Sequence, residues 1–562
     1  MERRAVLNDL NNTLFEIKQP KNSEIGVLTK MKYDTPQKFI SVKTLKKYEG
    51  EWNIFTAGHL LRRATMGYSN DMLKEALTLG LDKTIEKLFE SKQVTELPIN
   101  YNNPLDTAPL GTTWVNEKSR VMNEGLRVNS LLGWWFGLMM NSGINITEKL
   151  TLFWHNHFVT EVDTVNEARL SYRYLTLLRD NAFGNFKELA KQITIEPAML
   201  IYLNGDSNTG RAPNENYARE LFELFTIGKG PQIADSDYTN YTESDIKSAA
   251  KVLTGWVIDR VTGEPSFRRG RHDLTTKSFS YIYNNHKITN NNEEEYKDLI
   301  EMIFSHKDSA NHICRKIYRW FVNYEITPEV EENIIKPMAK MLKDNNFEIK
   351  PVLLTLLESE HFFDVQTIGC QIKNPLEYVV HLYKQTNQNQ YEDDYKKKYD
   401  FWVNWGVVLG VPQEMFLGDP PSVAGWTSYY QSPSFYQIWI NSVTLSFRNS
   451  FTDYLILVGI KRGGLNILID TIKIAKLHSE PENPKSLVQF LVDLMFPIDI
   501  TENQKAFLKT ILVPVGFEDF VWSTAWQELI VNPNDKENAN AVEQKLKFLF
   551  AVMMVMPEYQ LN

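Results

Sequence analysis

From Phe55 onward the apolar residues of this chain return at helical intervals, and that period leaves room for little besides a large helical fold. In residues 70–90 the apolar positions Met72, Leu73, Ala76, Leu77, Leu79, Leu81, Ile85, Leu88 and Phe89 keep helical spacing, with a break at Gly80. Similar patterns predict long helices over 115–141, 148–160, 167–181, 186–195 and 217–227, the last stopped by Gly228. Thr242-Glu243-Ser244-Asp245 is a capping box that starts a helix running to Leu253. The pattern resumes over 294–304, 309–322, 328–343, 350–358, 375–385, 395–409 and 438–447. Four further helices are expected over 464–475, 485–495, 502–512 and 542–555.

Two stretches break the period. Residues 1–54 alternate Lys, Asn, Pro and short apolar groups, and read as an extended arm. Residues 256–291 carry Gly263, Pro265, Gly270 and many Asn, which predicts an irregular or β-hairpin insertion. The expected architecture is therefore mainly α, a large multi-helix bundle-like body with one small insertion. Its core spans 55–450, and a C-terminal helical extension over 451–562 packs on that core. No period of 20–50 residues repeats, which argues against a solenoid.

The chain is 562 residues long, enough for a large core, and its formal net charge is −9. An acidic balance lacks the basic footprint of a nucleic-acid binder, so no nucleic-acid partner is expected. Two cysteines, Cys314 and Cys370, exclude a disulfide scaffold and a Cys-rich zinc site. The longest apolar run, 131–140, is about half the ~20 residues a membrane helix needs, so no transmembrane segment is expected. Met1-Glu2-Arg3-Arg4 resembles the start of a twin-arginine signal, but no apolar region follows it, which reads as cytoplasmic.

Polar chemistry gathers in four places. The first is Pro213-Asn214-Glu215-Asn216-Tyr217-Ala218-Arg219-Glu220-Leu221-Phe222-Glu223-Leu224-Phe225-Thr226-Ile227-Gly228. With Asn216 at 0°, α-helical periodicity puts Glu220 at about 40°, Glu223 at about 340° and Arg219 at about 300°. This stripe either faces water or lines a polar cleft. The loop before it ends in Gly210-Arg211 at a helix start, where free N–H groups attract anions. The second is His155-Asn156-His157, set among Leu150, Leu152, Phe153, Trp154, Phe158 and Val159. Two such histidines point about 200° apart and cannot share a metal on an unbroken helix. They are either satisfied core histidines, or one of them, with His155 favoured, is an acid/base or a ligand. The third is His272-Asp273, with Lys277 nearby, able to act as general acid, orienting carboxylate and electrostatic clamp, or to lie in a solvated loop. The fourth is Gly418-Asp419-Pro420-Pro421-Ser422-Val423-Ala424-Gly425-Trp426, with Trp402, Trp405, Tyr429, Tyr430 and Trp439 close in sequence. Such aromatics stack on ligands or fill a core.

Taken with His59-Leu60-Leu61-Arg62-Arg63-Ala64-Thr65-Met66-Gly67 and Ala249-Ala250-Lys251-Val252-Leu253-Thr254-Gly255-Trp256, the order and spacing of these motifs resemble the bacterial Domain of Unknown Function 1800 family from about His59 to about Asn449. Relatives keep a glycine between the His-Asp pair and the lysine, where this chain has Thr275 and Thr276. The resemblance implies export to the cell envelope, and a sulfatase-like Domain of Unknown Function 1501 protein as neighbour and partner. The residues suggest a hydrolase-like enzyme using acid–base or metal-assisted chemistry on a polar or anionic substrate. His155, Glu220, Glu223, His272 and Asp273 would do the chemistry, joined by Glu215. Arg211, Asn214, Asn216, Arg219, Lys277 and Trp426 would hold the substrate. The same five chemical residues would serve a divalent metal, though their spacing matches no metal motif. The alternative is a non-catalytic helical binding or scaffold protein, whose polar motifs tie helices together.

Overall fold

The computed structural model describes residues 43–562 except 119–123, 235–236, 260, 389–390, 392–393, 427–436 and 463. Most of the arm expected over 1–54, and Tyr429 and Tyr430, lie outside the described residues. The fold is mainly α, with four two-stranded antiparallel ladders among the described residues.

The helix Ile54–Ala64 begins where the Asn53 side chain accepts from the Thr56 N–H and Thr56 returns the bond, a capping box. Its last turn turns inward. His59 Nε2 donates to Phe362 O (2.9 Å), Arg62 Nη2 to Phe496 O (2.6 Å) and Arg63 Nε to Phe321 O (2.9 Å). Phe321 ends the helix Asp308–Phe321, so Arg63 places its charge at the negative end of that helix dipole. The first motif is thus a buried tie between distant segments.

The apolar run over 131–140 sits in the helix Glu124–Asn141, which packs on Tyr395–Asn404 and Ala168–Asp180. A Cβ added at Gly133 or Gly137 would come within 2.6 Å of Val403 or Trp402, so two glycines let these helices touch. This is a core helix, and no helix among the described residues is long and apolar enough to cross a membrane. It starts later than its pattern suggests. Thr113 bridges to Ile99, and the Trp114 indole donates to Ser130 Oγ (3.1 Å), which holds 113–114 as a loop.

The insertion holds two hairpins, Trp256–Ile258 with Pro265–Phe267 and Lys277–Ser278 with Lys287–Ile288. Thr242 caps the helix Glu243–Val252 as its sequence predicts. Toward the C-terminus, Lys536–Val555 packs on Ser442–Leu457, Glu502–Leu512 and Phe520–Val531. The expected helix over 464–475 is instead a strand, Leu465–Ile467, paired with Ile460–Arg462, followed by a short helix Thr471–Ala475. Cys314 and Cys370 are free thiols.

Candidate functional site

The signature segment opens as an α-helix, Glu215–Glu220, and continues as a π-helix, Leu221–Thr226, before Gly228 ends it at φ +73°. Asn214 is its N-cap, accepting from the Tyr217 N–H (3.1 Å) while its own amide donates to Leu203 O (2.8 Å). The wider π turn points carbonyls at three side chains. His157 Nε2 donates to Phe225 O (3.0 Å), and His312 Nε2 (3.1 Å) and Lys316 Nζ (3.2 Å) donate to Leu224 O. His157 must carry its proton on Nε2, because a carbonyl can only accept; its Nδ1 then accepts from Lys316 Nζ (3.0 Å). Burial holds both imidazoles neutral, with His312 pushed down to about 3, and pushes the Lys316 ammonium down to about 7. His157, rather than the favoured His155, therefore joins the second motif to the signature helix. A π turn of this kind recurs at functional sites.

Beside this turn lie the two signature glutamates. Glu223 is anchored: Tyr241 donates its hydroxyl to Oε1, Lys229 Nζ sits 3.0 Å from Oε2, and Arg219 Nη1 is 3.8 Å from Oε1. Arg219 makes its shorter bond to Glu243 on the next helix, at 2.7 Å. Glu220 is half-buried and accepts no hydrogen bond among the described residues. Burial, reinforced by the charge of Glu223, pushes its carboxyl up to about 7. Glu220 also acts on the phenol of Tyr202, whose hydroxyl lies 3.1 Å from Glu161 Oε1. The stripe inferred from helical periodicity thus contains two carboxylates in contrasting environments, one fixed by cations and one poorly solvated.

His155 is sealed. Its Nδ1 lies 3.0 Å from the Tyr174 hydroxyl, which donates to Phe158 O at 2.6 Å. The single phenolic proton is thereby spent, so Nδ1 carries the ring proton and Nε2 is a bare lone pair without a partner among the described residues. Trp135 and Trp426 lie edge-on to the ring at 5.5 and 5.4 Å, and burial pushes its pKa down to about 3. Between the two histidines, Asn156 Oδ1 accepts from the Trp426 N–H (2.8 Å). Gly425, at φ +100°, makes this approach feasible, since a Cβ there would lie 2.3 Å from Asn156 Oδ1. The second and fourth motifs meet at this bond, and Trp426 also borders a small cavity.

The His272 cluster is a separate, closed network. His272 Nε2 is 2.9 Å from Glu295 Oε1 and Lys277 Nζ is 2.6 Å from Oε2, with all three side chains at 0% exposure. Burial alone would raise the Glu295 carboxyl, but these two partners hold it below the usual carboxylate range. On the other ring nitrogen, Nδ1 lies 2.8 Å from Thr254 O. Asp273 points elsewhere, accepting from the Thr275 N–H (2.8 Å) at the surface of the turn. Glu295 is the partner that sequence reading missed, 23 residues beyond His272 and without a local signal.

Arg211 and Asn216 are exposed, and Glu215 lies in the first helical turn. No group of three His, Cys, Asp or Glu suited to a metal ion occurs among the described residues, and of the five proposed chemical residues Glu220 and Glu223 are neighbours. The geometry defines a helical protein whose polar motifs mostly knit buried segments, with one accessible glutamate pair. The family model described as protein of unknown function (DUF1800) matches residues 59–561, and the chain belongs to that family. The match continues past the motif region that ends near Asn449, into the C-terminal helices. No curated protein and no solved structure matches the chain.

Proposed function

We propose that the protein is a hydrolase-like acid–base enzyme acting on a polar substrate, with Glu220 as proton donor and Glu223 as the ionised carboxylate beside it. One observation carries this reading: Glu220 is half-buried and free of hydrogen bonds among the described residues, and its carboxyl is pushed up to about 7 next to a glutamate that Lys229, Arg219 and Tyr241 hold in place. A carboxyl raised toward neutral pH is suited to act as a general acid there. Arg219 and Lys229 would orient an anionic group on the substrate. Lys277, His272 and Asp273 take no part in this scheme.

The test is a screen of the full chain against chromogenic esters, glycosides, phosphate monoesters and sulfate monoesters. Turnover should fall at least about 100-fold in Glu220→Gln, the usual size of a general acid's contribution. Undiminished turnover in that variant would defeat the proposal.

A second reading has its own support. His155 and His272 are buried, bonded and sealed, as in a scaffold whose polar network specifies packing. In that case the chain binds a partner, and the sulfatase-like Domain of Unknown Function 1501 protein is the one that the family resemblance suggests. Co-purification of the two, unchanged in Glu220→Gln, would favour this reading over catalysis.

A further inference from the structure

The cavity beside Trp426 holds about 30 Å³, room for two or three ordered waters or one small polyatomic ion. It lies where the helix Thr147–His157, the end of Asp308–Phe321, the start of Pro375–Gln385 and the Trp426 segment meet. Its walls are rich in hydrogen-bond donors. Asn156 spends Oδ1 on the Trp426 N–H (2.8 Å), and Asn374 spends Oδ1 on the Glu377 N–H (2.9 Å). Both acceptors are backbone-bound, so the amide orientations are chemically fixed, and each NH2 is left without a partner among the described residues. The Trp320 indole N–H is buried with no acceptor among the described residues. Arg319 adds a positive charge to the lining, its Nε donating to Tyr324 O (3.2 Å).

Acceptors are scarce by comparison. Glu377 lines the cavity, but Lys149 Nζ occupies its Oε1, and Asn562 Nδ2 (2.7 Å) and the Asn374 N–H (3.3 Å) occupy Oε2. Lys149 is the ion-pair partner of Glu377. Gln371 donates its amide to Arg319 O (2.8 Å) and keeps one acceptor, Oε1. Among the described side chains of the lining, two unpartnered amide donors, an orphaned indole N–H and a guanidinium against one free acceptor make a complement for negative oxygen.

We infer that this cavity binds a small oxyanion, the carboxylate of an organic acid or a phosphate or sulfate group, held by Asn156, Asn374, Trp320 and Arg319. The site is independent of the Glu220 pair and stands or falls separately from it. The indole walls favour a planar carboxylate, and inorganic anions serve as the tetrahedral alternative.

Ligand-observed NMR on the full chain tests the inference, with sodium acetate as probe and acetamide as its neutral isostere. Inorganic phosphate and sulfate are added as competitors. Acetate should bind with a dissociation constant of about 1 mM, within the ceiling for so small a ligand. Acetamide should bind at least about tenfold more weakly, a comparison made on the wild type alone. Asn156→Asp and Asn374→Asp keep the bonded Oδ1 but replace a donor with a charged acceptor. Each should weaken acetate at least about tenfold, with the melting transition retained. Phosphate or sulfate binding more tightly than acetate, with the same dependence on both asparagines, assigns the site to a tetrahedral anion. Equal binding of acetate and acetamide, no binding of any of the three anions, or acetate binding that survives both variants overturns the inference.

Discussion

Replacing Glu220 with glutamine should make the protein more resistant to denaturation at pH 8 while leaving it nearly unchanged at pH 5. The folded protein holds the Glu220 carboxyl up to about 7, from 4.5 in the unfolded chain. Folding therefore favours the protonated form. As pH climbs from 4.5 through 7 the unfolded chain releases a proton that the folded chain retains, and stability falls across that window. The full displacement corresponds to about 3 kcal/mol. Glu220 keeps some solvent contact, so about 1–2 kcal/mol is the expected loss in the wild type. The Glu220→Gln variant has no proton to lose at this position and escapes it. Urea unfolding followed by tryptophan fluorescence at pH 5 and pH 8 measures the difference, read as the midpoint of the transition common to both proteins. Glu223→Gln supplies a second arm. It removes the charge that helps raise Glu220 and frees Lys229 to pull it down, so the pH dependence should shrink. Parallel pH profiles for wild type and Glu220→Gln would mean that Glu220 titrates as an ordinary surface carboxylate, and the acid role proposed for it would fail.

The closed networks give further expectations. Glu295→Gln strands the buried Lys277 ammonium and should cost about 3–5 kcal/mol in chemical denaturation, with the double variant Glu295→Gln, Lys277→Met costing less than the single one. Because Glu295 is held below the usual carboxylate range, its contribution is present at neutral pH and is lost as pH falls through that lowered value, so acid unfolding should be milder in the double variant. Tyr174→Phe leaves the His155 Nδ1–H without an acceptor and should cost about 1–3 kcal/mol, seen in the same assay. Gly425→Ala places a methyl 2.3 Å from Asn156 Oδ1 at φ +100°, so the loop must shift; a melting temperature within the error of wild type would contradict the described contact.

Local signals carried the parts of this fold that local physics decides. The Thr242 capping box, the αL stop at Gly228 and the buried 131–140 run all sit where spacing and cap chemistry put them. The helix Phe520–Val531 escaped because only Trp522, Trp526 and Leu529 turn inward, while Phe520, Ile530 and Val531 are exposed and blur the period. The hairpin at 460–467 was hidden by an apolar alternation too short to tell from a helix. At the site, helical periodicity correctly grouped Arg219, Glu220 and Glu223, yet a 3.6-residue period could not anticipate the π turn that begins at Leu221. The sequence favoured His155 as the chemical histidine of the pair, whereas His157 is the one bonded to that helix. Which of His155 and His157 meets a distant carbonyl depends on packing between helices, and so does the Glu295 that completes the His272 network.

The π turn at Leu221–Thr226 fixes the spelling length of the signature segment. Dropping one residue there would let the backbone close as an ordinary α-helix, and every later position would swing by about 100°. Leu224 O and Phe225 O would leave the imidazoles of His312 and His157, and Gly228, where a Cβ would stand 2.8 Å from His312 Nδ1, would be replaced at that spot by a neighbour with a side chain. Substitution is thus a gentler change than deletion in this stretch. In an alignment of DUF1800 chains, columns 221–228 should stay free of gaps.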